Sequence, residues 1–154
     1  MSPQDVGQYV CKAFDEFLEQ GASDDKRNAL REHLLVWFRS VDESLAFEGM
    51  MWVIEHSDRF QHQQLAGELL ARRGVPLLIS PEDFVRRVAP RLSSSSSEVA
   101  RYLDTQVGHV LAQRVVASLI RVATDKRLQV GLRSLAYWLG MTDVFEELAD
   151  EKRA

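Results

Sequence analysis

His56 and His62 stand close together in the chain with Glu55 and Asp58 beside them. Imidazole and carboxylate are the groups that bind divalent metals and move protons, so this cluster is the first place to look for chemistry. Its spacing matches neither the His-Glu-x-x-His zinc helix nor the Glu-x-x-His pairs of di-iron bundles, both of which set two ligands on one helix face. The expectation is a turn between helices, and a catalytic role for the His56 and His62 region ranks third among the functional readings. His33 beside Trp37 and His109 beside Gly108 read as packed or exposed residues. Cys11 has no histidine within one helical turn and reads as a buried, inert thiol. There is no Gly-x-Ser-x-Gly elbow, glycine-rich phosphate loop or cysteine-histidine finger. No catalytic residue, metal ligand or cofactor is assigned, although groups distant in sequence can still meet in a fold.

Arginine is the other chemically active residue type. Residues 1–58 hold 5 basic and 12 acidic side chains, residues 59–140 hold 12 and 6, and residues 141–154 hold 2 and 5. Eleven of the twelve cations in the middle segment are arginine, whose planar fork binds carboxylates or phosphates through two hydrogen bonds. The plainest expectation is pairing with the acidic first third. The alternative is a binding ridge, for which Arg59, Arg121 and Arg127 are the candidates. Trp37, Trp52 and Trp138 lie in apolar runs and are expected in the core; only an exposed tryptophan beside arginines would point to base stacking.

With 154 residues, 45% hydrophobic and 27% charged, the chain is expected to form one domain over 1–154 with an ordinary core. One cysteine makes no internal disulfide, so the expected compartment is the cytoplasm. No stretch is apolar for the roughly 18 residues a membrane span needs, and no membrane partner is expected.

The elements that must position these groups read as helices throughout. Ser2-Pro3 opens the first, which runs to Gly21 with Val6, Val10 and Phe14 on one face. Ser23 or Asp24 caps the second, and the short connection predicts an antiparallel pair. Asp42 to Glu55 is apolar nearly all round and belongs at the centre. Asp58 and Gln61 have capping-box spacing for the helix that ends at Gly74. Aligning Gly74 with Gly140 superposes Ala66, Leu69 and Leu70 on Leu132, Leu135 and Ala136. Val75 to Ile79 has no strand partner and reads as a connector before Ser80-Pro81, the clearest helix start. The serines at 93–97 read as a mobile linker, with Ser95 and Glu98 at capping-box spacing. From Ser96 to Ala123 runs one apolar stripe, with Gly108 placed to split it. Asp125 to Gly140 reads as a helix packed on both sides, with Val130, Tyr137 and Trp138 widening its apolar surface. A last amphipathic helix is expected through Val144, Phe145 and Leu148. The class is all-α, with seven or eight antiparallel helices in a short solenoid or an irregular bundle.

The run Asp125-x-Arg127-Leu128-x-x-x-Leu132-x-x-Leu135-Ala136-x-x-Leu139-Gly140 is similar to the second helix of a HEAT-type repeat. The resemblance implies stacked antiparallel helix pairs used as a binding surface, and some relatives of that kind act on nucleic acid. The leading expectation is a non-enzymatic module, adaptor or scaffold-like, that binds an acidic protein surface through arginines and a partner helix through apolar grooves. The alternative is nucleic-acid binding through the arginine-rich middle segment.

Overall fold

A computed structural model describes residues 1–21 and 23–141. The helix expected through Val144, Phe145 and Leu148 lies outside the described residues. Those described form eight α-helices and no strand: α1 (Pro3–Glu19), α2 (Asp24–Ser40), α3 (Glu43–His56), α4 (Phe60–Arg73), α5 (Pro81–Val88), α6 (Ser97–Val107), α7 (His109–Val122) and α8 (Lys126–Trp138). A 3₁₀ turn, Ala89–Arg91, continues α5. None of these helices is long and apolar enough to cross a membrane.

Local chemistry accounts for most boundaries. Ser2 and Asp5 form a reciprocal capping box on α1, with Pro3 in the first turn. Ser23, Asp42, Ser80 and Asp125 each accept a first-turn amide of α2, α3, α5 and α8. Gly108, at φ +88°, divides the long stripe into α6 and α7, since a residue with a β-carbon rarely takes that conformation.

Two sequence-predicted caps do not form. Arg59, not Asp58, holds the cap position of α4 and has no side-chain cap bond; Ser57 Oγ instead accepts the Arg59 amide at 3.2 Å. At α6, the side chain that reaches the first turn belongs to another helix. Gln64 of α4 accepts the Glu98 amide through Oε1 and donates to Ser97 Oγ through Nε2, both at 2.9 Å. A capping box assumes that the chain caps itself, whereas the close packing of α4 on α6 brings a better-placed amide from outside.

The serine run is a packed connector, not the free linker expected. Ser96 is fully buried and shares a 2.6 Å hydrogen bond with Ser134 Oγ; Ser134 donates to the Ser93 carbonyl at 2.9 Å and Trp138 Nε1 to the Ser94 carbonyl at 3.0 Å. Serine repeats look featureless as sequence, but α8 supplies partners for both side chain and backbone.

α3 is the centre of the core, with Ala46, Phe47, Met50, Met51, Val53 and Ile54 all buried. α1 packs chiefly on α3, α4 on α3 and α6, and α8 on the 3₁₀ turn and α7. One regularity runs through this packing. α3 and α4 occupy 43–56 and 60–73, while α7 and α8 occupy 109–122 and 126–138, so the second hairpin repeats the first at an offset of 66 residues. Ala46, Gly49, Met50 and Val53 are buried, as are their counterparts Ala112, Val115, Val116 and Leu119. Gln63 Nε2 donates to the Ser57 carbonyl at 3.2 Å, and Gln129 Nε2 to the equivalent Ala123 carbonyl at 2.8 Å. Both hairpins end in a left-handed glycine, Gly74 and Gly140, each at φ +74°, with the following amide bonded back to Leu70 or Ala136.

Candidate interaction surface

The acidic first third takes up several of the arginines. Arg59 Nη1 donates to Asp15 Oδ1 at 2.8 Å, Arg72 pairs with Glu32, Arg91 with Asp58 at 3.2 Å, and Arg87 forks between Glu48 and Glu55 at 3.3 and 2.6 Å. The hydrogen bonds to Glu32 and Glu55 are the main reason that Arg72 and Arg87 lose their protons less readily than a free guanidinium. Arg73 serves the core, donating to the Phe38 carbonyl at 2.6 Å from above the Phe38 ring.

A different set is left. Arg114, Arg121, Lys126, Arg127 and Arg133 make no ion pair among the described residues, and all five belong to α7 and α8. Of the three predicted binding residues, Arg121 and Arg127 are exposed here and Arg59 is half-committed to Asp15. The repeat offset also removes the reason for grouping Arg59 with Arg127, because Arg127 corresponds to Gln61 and Arg59 to Asp125.

The outer face of α8 overturns the expectation of a helix packed on both sides. Val130, Tyr137 and Trp138 are 54%, 65% and 45% exposed. Leu132, Leu135 and Ala136 face the core, and Gly131 lies tightly against Ala89 of the 3₁₀ turn; beyond them nothing in the described fold covers the opposite stripe. Two shallow hollows meet there at Val130. One, about 410 Å³, is bounded by Pro90, Leu92, Lys126 and Arg127; the other, about 370 Å³, by Ser94, Arg133, Ser134 and Tyr137. The Tyr137 and Trp138 rings meet edge to face with centroids 5.1 Å apart, and the Trp138 bond to Ser94 fixes the indole at the rim. The surface is thus an apolar strip edged by cations that make no ion pair among the described residues. Arg127, Val130, Ser134 and Tyr137 recur at helical spacing, a signal present in the sequence but hidden behind the stronger core stripe of the same helix.

The His56 and His62 region is a cleft among α1, α3 and α4, about 700 Å³, lined by Cys11, Asp15, Trp52, His56, Ser57 and His62 among others. His62, 5% exposed, bridges Asp15 and Ser57: Nε2 stands 2.7 Å from Asp15 Oδ1 and Nδ1 stands 2.7 Å from Ser57 Oγ. His56 faces elsewhere, its Nδ1 bonded to the Trp52 carbonyl at 2.9 Å and its ring stacked on the Trp52 indole. Burial pushes the Cys11 thiol up to about 11, reinforced by Asp15 and opposed by Arg59; the residue expected to be buried is only partly so and lines the cleft, yet its raised thiol is unreactive in character. Among the described residues no group of three or more His, Cys, Asp or Glu side chains could hold a metal ion. Asp15 lies 47 positions from His62, and nothing local in the sequence links the two.

Compared with protein-family models, curated proteins and solved structures, the chain matches none of them.

Proposed function

We propose that this chain is an α-helical interaction module of the cytoplasm, built as a short HEAT-like stack, whose α8 face binds an acidic amphipathic helix of a partner protein. The repetition of the α3–α4 hairpin by α7–α8 supports the stacked architecture. The observation that carries the binding reading is the strip of Val130, Tyr137 and Trp138 edged by Lys126, Arg127 and Arg133. A partner helix with apolar residues at i, i+3, i+4 and i+7 fills such a strip, and carboxylates on its flanks meet the arginines. An aromatic pair and arginines are also the residues that concentrate binding energy at protein interfaces.

The test is selection from a displayed library of helical peptides. The expected winners carry apolar residues at helical spacing flanked by Asp or Glu, and lose about 10-fold or more in affinity against Arg127→Glu/Arg133→Glu and against Tyr137→Ala. Winners without acidic flanks, or winners indifferent to both variants, overturn the reading. The exposed Trp138 beside cations favours one second reading, base stacking in single-stranded nucleic acid. Binding of an oligonucleotide that falls steeply with salt and needs Trp138 would replace the peptide reading with that one.

A further inference from the structure

We propose that Ser57, His62 and Asp15 form a nucleophile, base and orienting-acid chain that attacks carboxylic esters in the cleft among α1, α3 and α4. The three side chains come from three places: Asp15 from α1, Ser57 from the end of α3, and His62 from the first turn of α4. Their order follows from which atoms can donate. The Asp15 carboxylate only accepts, so Nε2 carries a proton in the 2.7 Å bond to Oδ1. In the neutral ring, the form that acts as a base, Nδ1 is then a lone pair and takes the 2.7 Å bond from the serine hydroxyl. A serine hydroxyl bonded to an imidazole that is itself held by a carboxylate is the arrangement that activates a hydroxyl nucleophile. The ring nitrogens are exchanged relative to the serine proteases, which general-base chemistry permits, since it needs only one basic nitrogen and one donating nitrogen.

Two further contacts suit the role. The Arg59 amide donates to Ser57 Oγ at 3.2 Å, which holds that oxygen in place beside the imidazole. Arg59 Nη1 donates to the same Asp15 oxygen that holds His62, fixing the carboxylate between the two partners. Ser57 and His62 both line the cleft, so a substrate carbonyl can reach Oγ.

In the reaction Ser57 Oγ bonds to the carbonyl carbon as its proton passes to His62 Nδ1. The C–O bond to the alcohol then breaks, and the departing oxygen takes that proton. Water, deprotonated by the same nitrogen, adds to the acyl group and releases the carboxylic acid and the serine hydroxyl.

The experiment uses the full chain with a fluorophosphonate probe, in which Oγ bonds to phosphorus and fluoride leaves, and with p-nitrophenyl acetate. Peptide mapping is expected to place the label on Ser57. Ser57→Ala abolishes it, and Asp15→Asn, which keeps the side chain's size, slows it by about 10²-fold while circular dichroism reports an unchanged fold. No labelling of the wild-type chain, labelling mapped to another residue, or labelling unchanged in Asp15→Asn overturns the proposal.

Discussion

Gly131 of α8 lies so close to Ala89 of the 3₁₀ turn that a β-carbon built on the glycine would overlap the Ala89 carbonyl. The obstacle is backbone on both sides, so no side-chain rotation relieves it. Gly131→Ala is therefore expected to cost about 1–3 kcal/mol or more, as overpacked cores do. In thermal unfolding each kcal/mol lowers Tm by about 2–4 °C for a chain of this size. Gly140→Ala at a left-handed position should cost about 1–2 kcal/mol, because its strain is confined to one residue. A Gly131→Ala variant as stable as wild type would show that α8 does not dock through this contact.

The core was largely legible in the sequence, and the surfaces were not. Periodicity gave the buried faces of α1 and α8 because each carries apolar residues every third or fourth position, α3 was placed at the centre by being apolar nearly all round, and Ser80, Asp125 and Gly74 announced their caps. What escaped was set by contacts between elements. Gln64 capping α6, Asp15 meeting His62, and the serines resting on α8 each join residues more than thirty positions apart. Trp138 was expected inside because its neighbours in sequence are apolar. Its place on the cylinder is the flank of the face that buries Leu132, Leu135 and Ala136, so it stays 45% exposed at the edge of the outer strip.

Ser134 gives a second measurable consequence. Its hydroxyl donates to the Ser93 carbonyl, so the buried Ser96 hydroxyl must donate to Ser134 in turn. Ser134→Ala removes both partners and is expected to cost about 1–3 kcal/mol in urea unfolding, the penalty for unsatisfied buried polar groups. Ser94→Ala makes the contrast: its side chain is exposed and only its carbonyl holds Trp138, so a change within about 0.5 kcal/mol is expected. Equal effects at the two serines would mean that the hydroxyl chain is not what holds the connector.

Cys11 makes a prediction in pH. With its thiol pushed from the ordinary 9.0 to about 11, alkylation by iodoacetamide near pH 8 should run about 100-fold slower than for an unperturbed cysteine. The sign for stability follows from the same shift. A group whose folded pKa is raised adds stability below its unfolded value, and that stability is lost as pH rises from about 9 towards 11. Asp15→Asn, by removing the charge that reinforces the shift, should speed alkylation; a rate already ordinary in the wild-type chain would show the thiol to be open to water.

The two functional surfaces should separate by mutation. The cleft draws its lining from α1, α3 and α4, while the strip draws on α8, the 3₁₀ turn and the serine connector, and they share no lining residue. Sites with no shared partners usually respond independently. Arg127→Glu/Arg133→Glu should therefore lose acidic-helix binding by about 10-fold or more while fluorophosphonate labelling stays at the wild-type rate. Ser57→Ala should abolish labelling and leave peptide affinity unchanged. If peptide binding alters the labelling rate, one contiguous route runs from α8 to the 3₁₀ turn and on to Gln63, which follows His62 in the chain and whose side-chain amide donates to the Arg91 carbonyl at 2.7 Å. Gln63→Leu removes that bond together with those to the Ile54 and Ser57 carbonyls. It should abolish such coupling while peptide affinity, measured alone, persists.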